Sequence, residues 1–379
     1  MKTKISFLAI LILSAALAFT TCGGGGGSSK NGGSTPPPSG TVYPVSTSGI
    51  DFNIIYVRGG LTFPAGEDDS GTMTVENDFY AAETEATNTL VTAVFQWAYD
   101  NNKFDTDGDG DLDGDDNAVV NDTVVSLYGA PLLDVDEAHA AKIFFDGSAP
   151  AGSEFSILLT YEENPCVNIG WHGAIMFCNW LTEMVNGNAS QAVYSWTDNG
   201  DGDGIAGDEI WHNDETDADY SKFGFRLPEE SEWEFAARYL GNTAPSTGGS
   251  LDSEKITTSE DGLNWYWTPG DYASGASEDV TDYDALDVVA WFGFNGTGNT
   301  TSTKNVGLKI SNILGIFDMS GNVWEWCYTE GGMLNESRII KGGSWREEFP
   351  GFSGIGRTIC PSPFESGYDI GFRIFRSAK

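Results

Sequence analysis

The residues best placed to do chemistry are carboxylates. The stretch DTDGDGDLDGDD, residues 105 to 116, sets acids at alternate positions. Asp105, Asp107 and Asp109 take places 1, 3 and 5 of a calcium loop, and Gly110 takes the sharp turn at place 6. Asp111 offers its carbonyl at place 7, Leu112 packs inward, Asp113 stands at 9 and Asp116 at 12. So many acids repel one another unless one hard cation gathers them, so the spacing predicts a structural calcium site rather than a solvated acidic loop. A second acidic loop, residues 198 to 209, spaces Asn199, Asp201 and Asp203 the same way, but its twelfth place is Ile210.

Other chemistry finds less support. The three histidines, His139, His172 and His212, have no partner at metal-ligand spacing, which argues against a catalytic triad or a His-rich iron site. Glu229, Glu230, Glu232 and Glu234 read as the solvated, dipole-matched start of a helix. Glu325 sits between Trp324 and Trp326, where an acid is either held by backbone donors or bound to a cation.

These groups need a frame. The chain has 379 residues, 40% of them hydrophobic, enough for a large core. Its net charge of -37 repels nucleic acid and anionic lipid, so no nucleic-acid partner is expected. From Lys304 to Lys379 nine bases meet eight acids, so the C-terminal segment escapes this repulsion.

Lys2 and Lys4 precede the short apolar run Ile5 to Phe19, and Cys22 follows it, the order of a lipoprotein signal. The reading is a signal peptide over 1–21, a Gly/Ser/Pro tether lipidated at Cys22 over 22–50, and a domain over 51–379. The membrane contact expected is the lipid alone. Cys166, Cys178, Cys327 and Cys360 are even in number, as disulfides in an exported protein require, and four cysteines allow three pairings.

Residues 51 to 63 read as a strand ended by glycines. Three helices follow. One carries Leu90, Val91, Val94, Phe95 and Ala98 on one face. The next aligns Ile175, Cys178, Leu181 and Val185 and ends at Gly187. The third runs from Pro228 to Gly241 with a Glu234–Arg238 pair. The rest is glycine turns and aromatic loops, which gives an α+β class with few helices, short strands and much irregular structure.

Four stretches in order then carry a resemblance: FGFRLPEESEWEFAAR (223–238), the run from 290 to 327 ending GNVWEWC, IIKGGSW (339–345) and DIGFRIFRSAK (369–379). With the ETEATN helix start, they resemble the formylglycine-generating enzyme family, the sulfatase-modifying-factor domain. The resemblance covers 51 to 379, with acidic insertions near 101–136 and 195–221, and implies a variant of the C-type-lectin fold. It implies a calcium site in which Glu325 gives its carboxylate, Gly321 and Val323 their carbonyls, and Asp318 a further oxygen.

The resemblance also implies a departure. The generating enzymes carry two copper-binding cysteines soon after the G-G-S-[YW] turn. Here Gly342-Gly343-Ser344-Trp345 is followed by Arg346, Glu347, Glu348, Phe349, Pro350, Gly351 and Phe352, with no cysteine before Cys360. No copper is expected. In folds of this lineage the same segment forms an exposed ligand-binding face. Trp345, Arg346, Glu347, Glu348, Phe349, Phe352, Arg357, Phe364 and Tyr368 have the composition of a contact patch. The competing readings are that the aromatics fill a loop-rich core and that Arg357 is an internal structural arginine. The expected function is a calcium-stabilised, non-catalytic surface lipoprotein that binds a protein or glycan through residues 344–373. Its rivals are an oxidase acting on a protein cysteine and a structural envelope protein.

Overall fold

Thr87 starts the first helix: its backbone is extended and its hydroxyl accepts from Leu90 N, which satisfies one of the free amides at the helix start. The structure is a computed structural model that describes residues 36–47, 49–104, 118–127, 130–136, 141–196, 216–244, 255–293, 298–332, 337–347 and 350–378. Helix α1 (Asn88–Asp100) buries Leu90, Val91, Val94, Phe95 and Ala98, the face that periodicity picks out. Helix α2 (Trp171–Asn186) ends at Gly187 in the left-handed conformation, φ 71°, where a side chain would be strained. Helix α3 (Glu230–Arg238) opens with a reciprocal capping box between Glu229 and Glu232. It stops three residues short of the expected Gly241, because Tyr239–Gly241 becomes a strand paired with Asn264–Trp267. A short helix, α4 (Tyr283–Val289), carries too few residues to announce itself by period.

The stretch read as one strand over 51 to 63 is two, Ile50–Val57 and Leu61–Ala65. The domain also begins earlier than residue 51. Thr41–Thr47 pairs antiparallel with Ile50–Val57, inside the span assigned to the tether. Those strands lead a five-stranded antiparallel sheet completed by Phe79–Ala82, Phe375–Ser377 and Phe225–Arg226. The C-terminal strand thus sits between strands from the start and the middle of the domain. A second sheet orders Thr358–Ile359, Arg338–Lys341, Trp324–Glu330 and Ile370–Phe372, the last pair parallel.

Both acidic insertions are partly built structure. Ala118–Val120, Val124–Leu127 and Ala130–Asp134 form a three-stranded sheet, and Val125, Leu127, Leu132 and Leu133 join the main core. The second insertion is closed at its base by the pair Tyr194–Trp196 and Thr216–Ala218. Among the described residues no helix is long and apolar enough to cross a membrane.

One charged network is wholly internal. Glu234 is completely buried, which corrects its reading as a solvated helix-start acid. Its carboxylate takes Lys341 at 2.8 Å and Arg238 at 2.7 Å, and Arg238 also binds Asp69 and the Gly66 carbonyl. Burial pushes the Glu234 carboxyl up, but Lys341 and Arg238 outweigh it and hold the group below the usual range. Glu232 pairs with Arg226 through two 2.6 Å contacts. The acids of this helix start are clamps rather than solvated charge.

Candidate functional site

The G-G-S-W turn leaves strand Arg338–Lys341 through two glycines at positive φ, 97° at Gly342 and 75° at Gly343. A Cβ at Gly343 would meet the Phe352 carbonyl oxygen at 2.5 Å, so no other residue fits there without moving the backbone. Gly321 N donates to Gly342 O and Trp345 N donates to Asn322 O, both at 2.8 Å. The turn is stapled to the GNVWEW segment, which fixes where the next side chains emerge.

Three of those side chains meet at the surface. The Trp345 ring lies 6.1 Å from that of Tyr368, and the Arg346 guanidinium stands 4.7 Å from the Tyr368 ring centroid. Trp345 is half-buried; Arg346 and Tyr368 are exposed. Trp345 and Tyr368 form one wall of a cavity of about 680 Å³. Other parts of the lining come from distant segments: Asp134, Lys142, Tyr161 and Asn168 on one stretch, Ser302 and Thr303 on another. Lys142 Nζ stands 4.8 Å from the Tyr161 ring centroid. Asn168 is held at φ 61° by its amide donating to Gly367 O and its carbonyl accepting from Asp134 N, each at 2.9 Å. Aromatic faces with a few fixed polar groups and one cation on the rim suit a polar ligand that offers flat apolar area.

Just before Trp345 in the chain, Ser344 Oγ lies 3.2 Å from Glu347 Oε1 and 3.1 Å from Asp369 Oδ2. The hydroxyl has one proton and donates to one carboxylate at a time. Burial raises both carboxyls above their ordinary range, and Trp324 Nε1 also donates to Glu347. Glu347 therefore ties Ser344, the residue before Trp345, to Trp324.

The structure divides the rest of the expected contact patch. Phe352 packs on the main core with its ring 6.3 Å from Trp324, and Phe364 lies 5.0 Å from the buried His172 ring. Both serve packing, as the competing core reading holds. Arg357 is not internal: it pairs with Glu67 at 3.2 Å, both partly exposed, and stacks on Phe352. Glu348, Phe349, Cys22 and the loop residues Asp105, Asp107, Asp109, Asp111, Asp113 and Asp116 lie outside the described residues, as do Asn199, Asp201 and Asp203. Tyr161, Asn168, Lys142 and Asp134 carry no sequence signal as site residues, since the first three lie in loops without period, Asp134 ends a strand, and all four reach the cavity lined by Trp345 only by folding.

The implied calcium site at GNVWEW is differently committed. Glu325 is buried, and its carboxylate takes Arg373 Nη2 at 2.6 Å, Arg373 Nε at 3.0 and 3.1 Å, and Trp233 Nε1 at 2.7 Å. With both oxygens engaged, Glu325 does not fit a cation ligand in this arrangement. Asp318 accepts from Gly307 N through Oδ2, while its buried Oδ1 has no hydrogen-bond partner among the described residues. Glu85, missed by the sequence reading, accepts from Asn322 Nδ2 at 2.9 Å and Val323 N at 3.3 Å. Burial and then the charges of Asp318 and Glu325 push Glu85 well above the ordinary carboxyl range. Among the described residues, no three His, Cys, Asp or Glu side chains are arranged to hold a metal ion.

A pH dependence follows from Asp318, which burial lifts from 3.8 to about 6. Between those values the folded chain binds the proton that the unfolded chain has lost. Stability therefore falls as pH rises from 4 towards 7, by about 3 kcal/mol from this group. Asp318→Asn should flatten that part of the melting-temperature profile. A variant with the unchanged slope assigns it to another acid.

The four cysteines are free thiols, which corrects the expected disulfides. Cys166, Cys178 and Cys327 are fully buried, and burial pushes each thiol far above its ordinary value. Cys360 is half-buried and likewise raised by burial. Thiolates at these places are disfavoured, and none of the four lines the cleft.

The irregular α+β frame, the stapled G-G-S-W turn and the buried pair of the W-E-W acid with the G-F-R arginine define a domain of the sulfatase-modifying type. The chain belongs to the sulfatase-modifying factor enzyme 1-like domain family, whose model matches residues 53–378. It is 29% identical over 227 residues to a Paenibacillus barcinonensis protein named chaperone protein LppX, a match over 57% of this chain and 71% of that protein. Among solved structures it is similar to Treponema denticola variable protein 1, with a TM-score of 0.54 and 21% identity over 89% of this chain and 99% of that one. It is also similar to CarF, with a TM-score of 0.51 and 21% identity over 86% and 99% of the two chains. At these identities the two structures show the shared fold alone.

Proposed function

We propose that this chain is a non-catalytic binding protein, exported and anchored through a lipid on Cys22, whose cleft between Trp345–Tyr368 and Tyr161–Asn168 holds a protein or glycan ligand. The observation that carries this reading is the segment after the G-G-S-W turn. It offers aromatics and an arginine where the generating enzymes offer two thiols, and the domain's own thiols lie elsewhere, three of them buried and Cys360 half-buried. The relative named as a chaperone supports a role in holding another molecule. Calcium belongs to the proposal through the acidic loop from Asp105 to Asp116, and copper does not.

The test is a screen of the purified full chain against peptide and glycan panels, repeated with the cleft variants described in the Discussion. Saturable binding that those variants lose supports the proposal. Conversion of a cysteine peptide to an aldehyde in the presence of copper and oxygen assigns an oxidase instead, and no saturable ligand assigns a structural envelope role. Calcium has its own readout. Chelation should lower the melting temperature by several degrees, because a ligand bound only to the folded chain stabilises it. An unchanged melt removes calcium from the proposal.

A further inference from the structure

The loop from 306 to 316 is built to keep its shape. Val306 N donates to Glu163 O at 2.9 Å, and Ile310 N to Val288 O at 3.1 Å. The buried Asn312 holds the rest. Its amide donates to Ala236 O and Ser274 Oγ, and its Oδ1 accepts from Leu314 N and Ile316 N. Yet this fixed loop presents large apolar side chains to solvent: Leu308, Ile310 and Ile313 are 64%, 61% and 65% exposed. Val288, whose carbonyl binds Ile310, is 46% exposed. Scattered exposed aliphatics are ordinary, but a cluster on a rigid loop marks a surface with a partner.

Two observations say which partner. The first is where the chain enters the domain. Gly40 lies against the Leu314 backbone, where a Cβ would meet the Leu314 carbonyl oxygen at 3.4 Å. The tether is therefore rooted one residue from Ile313. Thirteen residues lie between Cys22 and the first described residue, Pro36. A Gly/Ser-rich segment of that length has a reach of roughly 20 Å, while a domain of this size is about 50 Å across. At that mean reach, under half the width of the domain, the face around the tether root is the one held nearest the bilayer that carries the lipid. The second observation is charge. Val288 to Phe317 is a run of thirty residues without an acid, in a chain with 56, and it carries Lys304 and Lys309. Lys309 Nζ stands 4.0 Å from the Trp291 ring centroid and 3.5 Å from Asp287, the acid just before the run.

We propose that the Leu308–Ile313 loop is a membrane-resting face. Its three aliphatic side chains enter the headgroup boundary of the bilayer that carries the Cys22 lipid, and this fixes the orientation of the domain on the surface. The proposal rests on the reading of Cys22 as the anchor and adds a second, protein contact to it.

The experiment uses the full acylated chain in phosphatidylcholine vesicles, with and without phosphatidylglycerol. An environment-sensitive dye is placed at Ile313→Cys, with the chain lacking that substitution as the labelling control. Brominated lipids should quench the dye by at least half. Leu308→Glu with Ile310→Glu in the same chain should cut the quenching at least threefold and leave the melting temperature unchanged, since both positions are exposed. Flotation reports the anchor separately. A chain that floats without quenching overturns the proposal and leaves the anchor intact. A chain that does not float overturns the anchor, and the proposal with it. A dimer in free solution that the two glutamates break assigns the loop to a second copy of the chain and also overturns the proposal.

Discussion

Arg373→Ala is expected to destabilise the domain by about 3–5 kcal/mol, the scale for leaving one partner of a buried ion pair without the other. Arg373 is fully buried, and its guanidinium does more than pair with Glu325. Nη1 donates to Ala82 O at 3.2 Å and Nη2 to Phe317 O at 2.9 Å. One side chain thus joins the five-stranded sheet, the strand Trp324–Glu330 and the loop before it. Removing it strands the Glu325 carboxylate beside Glu85 and Asp318, with Trp233 Nε1 as its remaining side-chain donor among the described residues. The melting temperature should fall by roughly 10 °C for a domain of this size. Arg373→Lys should recover only part of the loss, because an ammonium cannot reproduce the planar fork that spans both carboxylate oxygens and two carbonyls. A loss below 1 kcal/mol for the alanine variant would show that protons or a cation neutralise the three carboxylates without the arginine.

The second large effect concerns binding rather than stability. Trp345→Ala combined with Tyr368→Ala should weaken ligand binding by about 100-fold or more, the range for removing two aromatic anchors from the centre of a contact surface. Stability should change little. Tyr368 is exposed, and Trp345 makes its one polar side-chain contact at 3.4 Å to the Tyr368 carbonyl. Phe352→Ser separates the two roles in the opposite sense. Its ring packs on the main core against Trp324, so that variant should lose stability first. Unchanged affinity in the Trp345/Tyr368 double variant would remove the cleft from the proposed function.

Much of the frame was legible because its signals are local. The buried stripe of α1 follows a helical period, Gly187 marks the left-handed end of α2, and Pro228 with the acids behind it marks the start of α3. Each needs only neighbours within a turn or two. The family motifs were legible for a related reason: G-G-S-W and G-F-R answer to backbone positions and a buried ion pair that tolerate few residues. The lack of a cysteine between Trp345 and Cys360 was also plain, and it is the strongest sequence fact about function.

The site itself was decided by tertiary contacts. Phe352, Phe364, Trp345 and Tyr368 read alike in a loop without period, yet two pack inward and two form the cleft wall. A loop side chain takes its direction from what the fold brings beside it, and these loops meet residues more than 100 positions away. Glu234 read as solvent-facing because helix-start acids commonly are, until Lys341 arrived from a strand 107 residues later. Glu325 read as a cation ligand, until Arg373 closed on it from 48 residues downstream. By itself the sequence determined the three longer helices, the family and the missing thiols. The tertiary structure alone decided which aromatics face solvent and which charges are already neutralised, because burial and ion pairing here are set by long-range packing that no local pattern encodes.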